Sequence, residues 1–357
     1  KVVLITGANA GIGFATAIAI AKLKPKLYIA CRSQEKAEVA ISEIKRLSSN
    51  DNILFIPLDL NDLDSVDQCA KLFGERESKL DILINNAGIM GVKTSNRSKQ
   101  GYEMTMAVNF LGHFLLTMHL IPFLERAAPS RIINLSSLTH SRGRIDFNTL
   151  EYWRFLVNEN LSVFDYPLFT HSSLTPTLDT VYSNSKLAIL LFSNELATKL
   201  STLGIVSNAL CPGMVQTNIL DDFPWFIRTT GPVTMKLMTM VGVGVTPDYA
   251  AKTPLLLAAD PKYEKVTGKY FTHQKEKIPA KVGQDAIAAK RLWQIAEDLV
   301  QCEQRVSNYN NLRSKFYEKA IEQGQQVFPL YDARLSLVHI LGCVCLGVCL
   351  GLLICYG

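Results

Sequence analysis

Short apolar runs alternate with longer segments whose apolar residues recur every three or four positions, and the alternation holds from Lys1 to Leu210. Lys1–Thr6, Lys26–Ala30, Ile53–Leu58, Asp81–Ile84, Arg131–Leu135 and Ile205–Leu210 have the apolar, β-branched profile of strands buried on both faces. Between them, Phe14 to Leu23, Gln34–Leu47, Leu63 to Glu77, a segment from about Gly101 and one running through Tyr182 to Leu203 predict helices. Lys269–Phe271 adds a short seventh strand, and Ala286–Glu303 an amphipathic helix. Strand and helix in strict alternation specify an α/β fold, a doubly wound parallel sheet of about seven strands with helices on both faces.

The end of the chain follows a different rule. Residues 304–334 are polar and charged, and Leu335 to Tyr356 is an almost uninterrupted apolar run. Roughly 20 apolar residues are what a helix needs to cross a bilayer, so 335–356 predicts a transmembrane tail. Arg334 on its near side predicts a single-pass tail anchor with the preceding domain, 1–303, in the cytosol. The endoplasmic reticulum is the default membrane.

The first strand runs directly into Thr6-Gly7-Ala8-Asn9-Ala10-Gly11-Ile12-Gly13 and an alanine-rich helix. Glycines at such a turn let the backbone approach a pyrophosphate, and the helix N-terminus offers unpaired N–H groups at the positive end of its dipole. The second strand ends in Cys31-Arg32, where an acidic residue would bind a ribose 2′-hydroxyl. A guanidinium there suits a 2′-phosphate, which favours NADP(H) over NAD(H). Asp59, with Leu60 beside it, ends the third strand as an acceptor for the adenine amino group, and Asn85-Asn86-Ala87-Gly88 closes the fourth. Ser136 and Ser137 end the fifth strand over the same crevice, either as ligands of a substrate oxygen or as turn residues.

Tyr182-Ser-Asn-Ser-Lys186 places a phenol and an ammonium one helical turn apart. A phenol titrates near ~10 and trades protons poorly at neutral pH. A fixed positive charge beside it favours the phenolate and makes a usable acid/base. Asn109, an amide among apolar neighbours, is either a satisfied core residue or part of a relay; His113 and His119 read as packing residues.

Composition removes other classes. Net charge is +5, but basic and acidic residues are interspersed, which is a solvated surface and no nucleic-acid stripe. The eight cysteines show no metal-ligand spacing and read as free thiols; no metal is expected.

In order, TGANAGIG, the Asp59 turn, NNAG, VNFLGHF, INLSS, YSNSK and CPGMVQT make the chain resemble a short-chain dehydrogenase/reductase from Lys1 to about Val300. NNAGIM, APSRIINLSS, TGKYF and AAKRLWQIAEDL look most like the retinol dehydrogenase branch. The resemblance implies a Rossmann-type fold and an NADP(H)-dependent oxidoreductase interconverting an apolar alcohol and its aldehyde or ketone. Retinol/retinal is the first choice, and a steroid or sterol ketone the second. A non-catalytic nucleotide-binding scaffold is the rival reading.

Carried over by position, Tyr182 is the general acid/base, Ser137 holds the substrate oxygen, Lys186 tunes the tyrosine and binds the nicotinamide ribose, and Asn109 holds a water linking Lys186 to solvent. Gly7, Asn9, Gly11, Ile12 and Gly13 surround the pyrophosphate, and Asn86 and Ala87 the adenosine ribose. Pro212, Gly213, Val215 and Thr217 close over the nicotinamide. The implied partners are an apolar substrate, a membrane and a second copy of the chain packed through the Tyr182 helix.

The interval of 45 positions between Ser137 and Tyr182 exceeds the family's usual spacing. The surplus, 152–179, is either an inserted flap beside the active site or a surface excursion. Residues 221–245, apolar and methionine-rich, sit where the fold carries its substrate lid and suit a flexible or lipid-like substrate. The alternative is a helix packed on the domain or against a second copy.

Overall fold

The computed structural model describes residues 1–90, 96–145, 147, 178–215, 244–307 and 309–322. Thr217, nearly all of the 152–179 insert, most of the 221–245 segment and the 335–356 tail lie outside the described residues. The chain forms two compact units, Lys1–Asn310 and Asn311–Gly357. Of the second, only 311–322 are described, as part of a helix Tyr309–Glu322.

In the first unit the strands are β1 (Val2–Thr6), β2 (Lys26–Cys31), β3 (Ile53–Pro57), β4 (Ile82–Asn85), β5 (Ser130–Leu135), β6 (Ile205–Cys211), β7 (Tyr270–Thr272) and β8 (Lys275–Lys277). They form one sheet in the order β3-β2-β1-β4-β5-β6-β7-β8. Every pairing is parallel except β7 with β8. The order turns back on itself between β1 and β4, and a ligand crevice opens at the carboxyl ends of the strands beside such a switch.

Among the described residues the sheet has eight strands, one more than the sequence pattern predicts. The eighth is Lys-Glu-Lys, exposed throughout, and follows a tight turn in which His273 and Gln274 both take positive φ. A charged edge strand carries no apolar signal, because it buries neither face.

The helices used below are α1 (Gly11–Ala21), α2 (Gln34–Ser48), α3 (Leu63–Arg76), α4 (Met104–Arg126), α5 (Leu178–Leu200), α6 (Lys252–Ala259) and α7 (Ala286–Leu299). Ser33 caps α2 by accepting the Lys36 N–H, Asp62 caps α3 by accepting that of Asp64, and Asp285 caps α7 by accepting that of Ala288. The expected single helix to Glu303 stops at Leu299. Gln301 takes φ +55 there, and a one-turn helix Cys302–Arg305 follows.

Two cores hold the unit together. Ile5, Ile29, Ile84, Ile133 and Leu210 belong to the sheet's central cluster. Across the sheet, Phe110 and Phe114 of α4, Phe192 of α5 and Trp293 of α7 form a ring cluster with centroids 5.1–6.0 Å apart. Such pairs add roughly 0.5–1.5 kcal/mol each beyond their burial.

Among the described residues, α4 alone is long and apolar enough to cross a membrane. Its apolar window is 78% buried, which identifies it as the core helix of this unit. The four described cysteines, Cys31, Cys69, Cys211 and Cys302, are free and buried.

Candidate active site

The crevice lies at the switch between β1 and β4 and has a volume of about 570 Å³. Gly7, Asn9, Gly11, Ile12, Gly13, Arg32, Asp59, Leu60, Asn86, Ala87, Tyr182, Lys186 and Pro212 all line it. These expected site residues thus meet in one place, from five strand ends and two helices, whereas Asn109, Ser137, Gly213 and Val215 are not part of the lining.

Its floor is the turn between β1 and α1. The N-terminus of α1 has no side-chain cap and no acidic residue in its first turn, so its N–H groups and dipole are available to an anion. Two glycines are dictated by packing. Gly7 has φ +66, and a Cβ there would stand 2.9 Å from Ala87 Cα. A Cβ on Gly13 would stand 2.4 Å from both Asn86 Nδ2 and the Gly7 carbonyl oxygen.

The turn is tied to the end of β4 through Thr6. The Thr6 hydroxyl accepts the Asn86 and Ala87 N–H groups, both at 2.9 Å. Asn86 Nδ2 donates to the Thr6 carbonyl at 2.7 Å. His113, expected to be a packing residue, sits behind this knot. Its Nδ1 lies 3.0 Å from the Asn109 carbonyl and its Nε2 2.9 Å from Thr6 Oγ1. A carbonyl only accepts, so Nδ1 carries the hydrogen and Thr6 donates to Nε2. Burial pushes the His113 pKa down to about 4, in keeping with a neutral ring. His119 pairs with Asp67 at 2.8 Å, a surface-side contact the sequence did not signal.

Asn109 lies in a π-turn, Ala107–Leu111, closed by the Gly112 N–H on the Ala107 carbonyl. The side chain is fully buried and fully used. Oδ1 accepts the Ile89 N–H at 2.8 Å, and Nδ2 donates to the Ile89 carbonyl and to Ser185 Oγ, both at 3.0 Å. Asn109 does not line the crevice; it clamps the turn after β4 to α5 from behind.

On α5, Tyr182 and Lys186 face the crevice, with the Lys186 ammonium 5.5 Å from the tyrosine ring centroid. Lys186 Nζ donates to the Leu135 carbonyl at 3.0 Å. Burial pushes its pKa down to about 8. Gly88 leaves room for it: a Cβ there would stand 3.3 Å from Nζ.

The two serines after β5 separate. Ser136 is buried, and its hydroxyl donates to the Lys186 carbonyl at 2.7 Å. Ser137 is half-buried, and its Oγ accepts the Thr139 N–H at 3.2 Å, which leaves its own hydrogen to donate. Cys211 seats this loop, because its sulfur receives the N–H groups of both Leu138 and Gly213, the latter at 3.4 Å. Gly213 and Val215 stand back from the crevice, where Val215 pairs with Val245.

At the adenosine end the structure adds what the sequence reading missed. Lys36 lines the crevice beside Arg32 and Ser33. It lies four positions beyond Arg32 in the first turn of α2, and that spacing was the available signal. Burial pushes the Cys31 thiol up to about 11, so no negative charge stands where an acidic residue would bind a ribose hydroxyl.

The short chain dehydrogenase family profile matches residues 1–149. The chain is 37% identical over 308 residues to retinol dehydrogenase 13 of Homo sapiens, covering 85% of each chain. It is 35% identical over 310 residues to retinol dehydrogenase 11 of Homo sapiens, covering 84% of this chain and 86% of that one. Among solved structures, 3-ketoacyl-(acyl-carrier-protein) reductase from Brucella melitensis, complexed with NADH, matches with a TM-score of 0.54 and 25% identity over 76% of this chain and 95% of that one. The Pseudomonas aeruginosa RhlG/NADP active-site complex shares the fold, with a TM-score of 0.56 at 23% identity over 79% and 96% of the two chains. Identity of 35% and 37% sustained over most of the chain, on a sheet whose switch point gathers the Tyr182–Lys186 pair and the glycine turn, places this protein in the short-chain dehydrogenase/reductase family, on its retinol dehydrogenase branch, as an oxidoreductase acting on CH–OH donors.

Proposed function

We propose that the protein is NADP(H)-dependent and interconverts an apolar alcohol with its aldehyde or ketone, a retinol/retinal-type pair before a steroid or sterol ketone. The observation that carries this reading is that Tyr182 and Lys186 share one crevice with Arg32 and Lys36. Proton chemistry stands at one end, and a pair of cations suited to a 2′-phosphate at the other.

The residues fit a dinucleotide. The uncapped start of α1 and the glycine turn before it, packed close against Asn86 and Ala87, would receive the pyrophosphate. Asn86 and Ala87 would flank the adenosine ribose, and Asp59 and Leu60 the adenine. Pro212 would border the nicotinamide. When bound, the nicotinamide supplies or accepts the hydride.

The chain's own groups do the rest. The Tyr182 hydroxyl gives a proton to the substrate oxygen or takes one from it. The Lys186 ammonium favours the phenolate and so eases that transfer. Ser137 donates a hydrogen bond that orients the substrate oxygen. Asn109, its amide committed to Ile89 and Ser185, holds the crevice wall in register with α5.

The apolar run 335–356 would anchor the enzyme in a membrane, where such substrates dissolve. A homodimer through α5 would have to accommodate α7, which already packs on the ring cluster that α5 shares with α4.

The test is NADPH consumption by the detergent-solubilised full chain against all-trans-retinal, a 3-ketosteroid and a medium-chain aldehyde, with Tyr182→Phe as control. Turnover of retinal that the phenylalanine variant abolishes is the expected result. Binding of NADPH with no turnover of any carbonyl would overturn the reading.

A further inference from the structure

The serine proposed to hold the substrate oxygen is fixed from behind by a residue outside the crevice. His140 lies in the 3-10 helix Leu138–Arg142 that Ser137 caps, and it is only 3% exposed. Its Nδ1 lies 2.6 Å from the Ser137 carbonyl, and its Nε2 receives the Ala280 N–H at 3.2 Å. The two partners fix the tautomer. A carbonyl only accepts and an amide N–H only donates, so Nδ1 carries the hydrogen and Nε2 the lone pair.

The ring is held against the phenol of Tyr270, with centroids 5.1 Å apart at 66°. A Cβ on Gly283 would come 3.5 Å from its Cδ2. Among the titratable groups on the packed elements, Tyr270 stays neutral because burial raises its pKa. Lys281, next to Ala280, is exposed, as is Arg142 on the histidine's own helix. Lys186 of α5 spends its ammonium on the Leu135 carbonyl. Burial lowers the His140 pKa against the opposing pull of the Ser137 carbonyl, so the neutral bracket stands at neutral pH.

Resting on the dehydrogenase reading above, we propose that His140 is a positioning residue, which brackets Ser137 to the segment before α7 and so sets where its hydroxyl meets the substrate oxygen. Nothing in this bracket touches the cofactor end of the crevice. It acts on the chemical step through geometry, and a misplacement of about 1 Å at such a group costs up to ~10²-fold in rate.

Two variants of the full chain in detergent separate the halves of the bracket. In His140→Asn the side-chain amide can still donate to the Ser137 carbonyl but is too short to reach Ala280. In His140→Gln the amide reaches Ala280 and the side-chain bond to Ser137 is lost, while the backbone N–H of residue 140 keeps its bond to the Ser137 carbonyl.

Because the bracket needs both halves, the expected result is a kcat lower by about 10- to 100-fold in both His140→Asn and His140→Gln, with NADPH affinity unchanged in each. A wild-type kcat in either variant, or kcat losses that track NADPH affinity, would overturn the proposal. Hydrogen exchange of residues 136–143 gives an answer that needs no turnover: it should quicken in both variants, and unchanged exchange in either would also overturn it. Wild-type protein that turns over no carbonyl while these exchange rates shift as stated would sink the dehydrogenase reading and spare the bracket.

Discussion

Asn109 and Ser185 are joined by a 3.0 Å hydrogen bond, and Ser185 in turn donates to the Tyr182 carbonyl at 2.7 Å. The turn after β4 is therefore fastened to the backbone that carries the tyrosine. Replacing Asn109 with leucine removes the partner of the half-buried Ile89 N–H and carbonyl and of the buried Ser185 hydroxyl, at up to about 1–3 kcal/mol for each group left unsatisfied. Asn109→Leu should lower the unfolding midpoint by several degrees and reduce kcat more than it weakens NADPH binding. Thermal denaturation beside steady-state kinetics checks this, and an unchanged midpoint would show the clamp to be dispensable.

Lys186 gives the pH dependence a direction. Its pKa in the folded chain is pushed by burial from the usual lysine value down to about 8. The ammonium is present below that value and is lost as pH rises through it. If the ammonium keeps the Tyr182 phenol reactive, kcat/KM of the free enzyme falls on the alkaline side of about 8. Stability moves the other way. Between about 8 and the unfolded value near ~10.4 the unfolded chain binds more protons at this position, so this group's contribution to stability rises with pH. A kcat/KM profile from pH 6 to 10, with denaturant midpoints over the same range, tests both signs; Lys186→Met should flatten the second.

Arg32 and Lys36 divide the two cofactors. Both are exposed and border the crevice next to the neutral Cys31 thiol. Hydrogen bonds to a charged group contribute about 1.5–3 kcal/mol. Removing both cations in Arg32→Ala/Lys36→Ala should therefore weaken NADPH by 10²-fold or more and leave NADH nearly unmoved. Fluorescence titration with each cofactor reads the ratio. Equal weakening of both would assign the pair to the shared diphosphate.

Much of this could be read along the chain, for a physical reason. Five of the six leading strands are buried on both faces and the edge strand β3 is half-buried at Leu54 and Phe55, so their apolar runs mark them within a residue or two, and the glycines that approach Ala87 and Asn86 are needed wherever the turn occurs. What escaped notice depends on partners remote in sequence. His113 meets Thr6 across 107 positions and His140 meets Ala280 across 140, so each reads as an ordinary histidine until the fold brings its partners in. The β8 strand escaped for the opposite reason, as three exposed charged residues bury nothing. Of the two serines ending β5, the sequence preferred the second by motif alone. The geometry adds a cause, since the hydroxyl of Ser136 is spent on the Lys186 carbonyl.

The last prediction concerns the face that α4 and α5 share. Trp293 of α7 meets Phe114 of α4 edge-on at 5.1 Å and Phe192 of α5 in a tilted contact at 5.9 Å. Its indole also carries the Lys199 ammonium at 5.1 Å. The chain's own helix thus covers apolar surface that would otherwise be free to bury against a second copy. Trp293→Ala should cost ~3–5 kcal/mol, the range for truncating a large core aromatic. It should also open an apolar face on the two helices, large enough to invite association. Light scattering of the detergent-solubilised protein would then show a larger species for the variant than for wild type at equal concentration. If wild type and variant have the same mass while the variant is destabilised, α7 is a structural cover and the α4–α5 face plays no part in assembly.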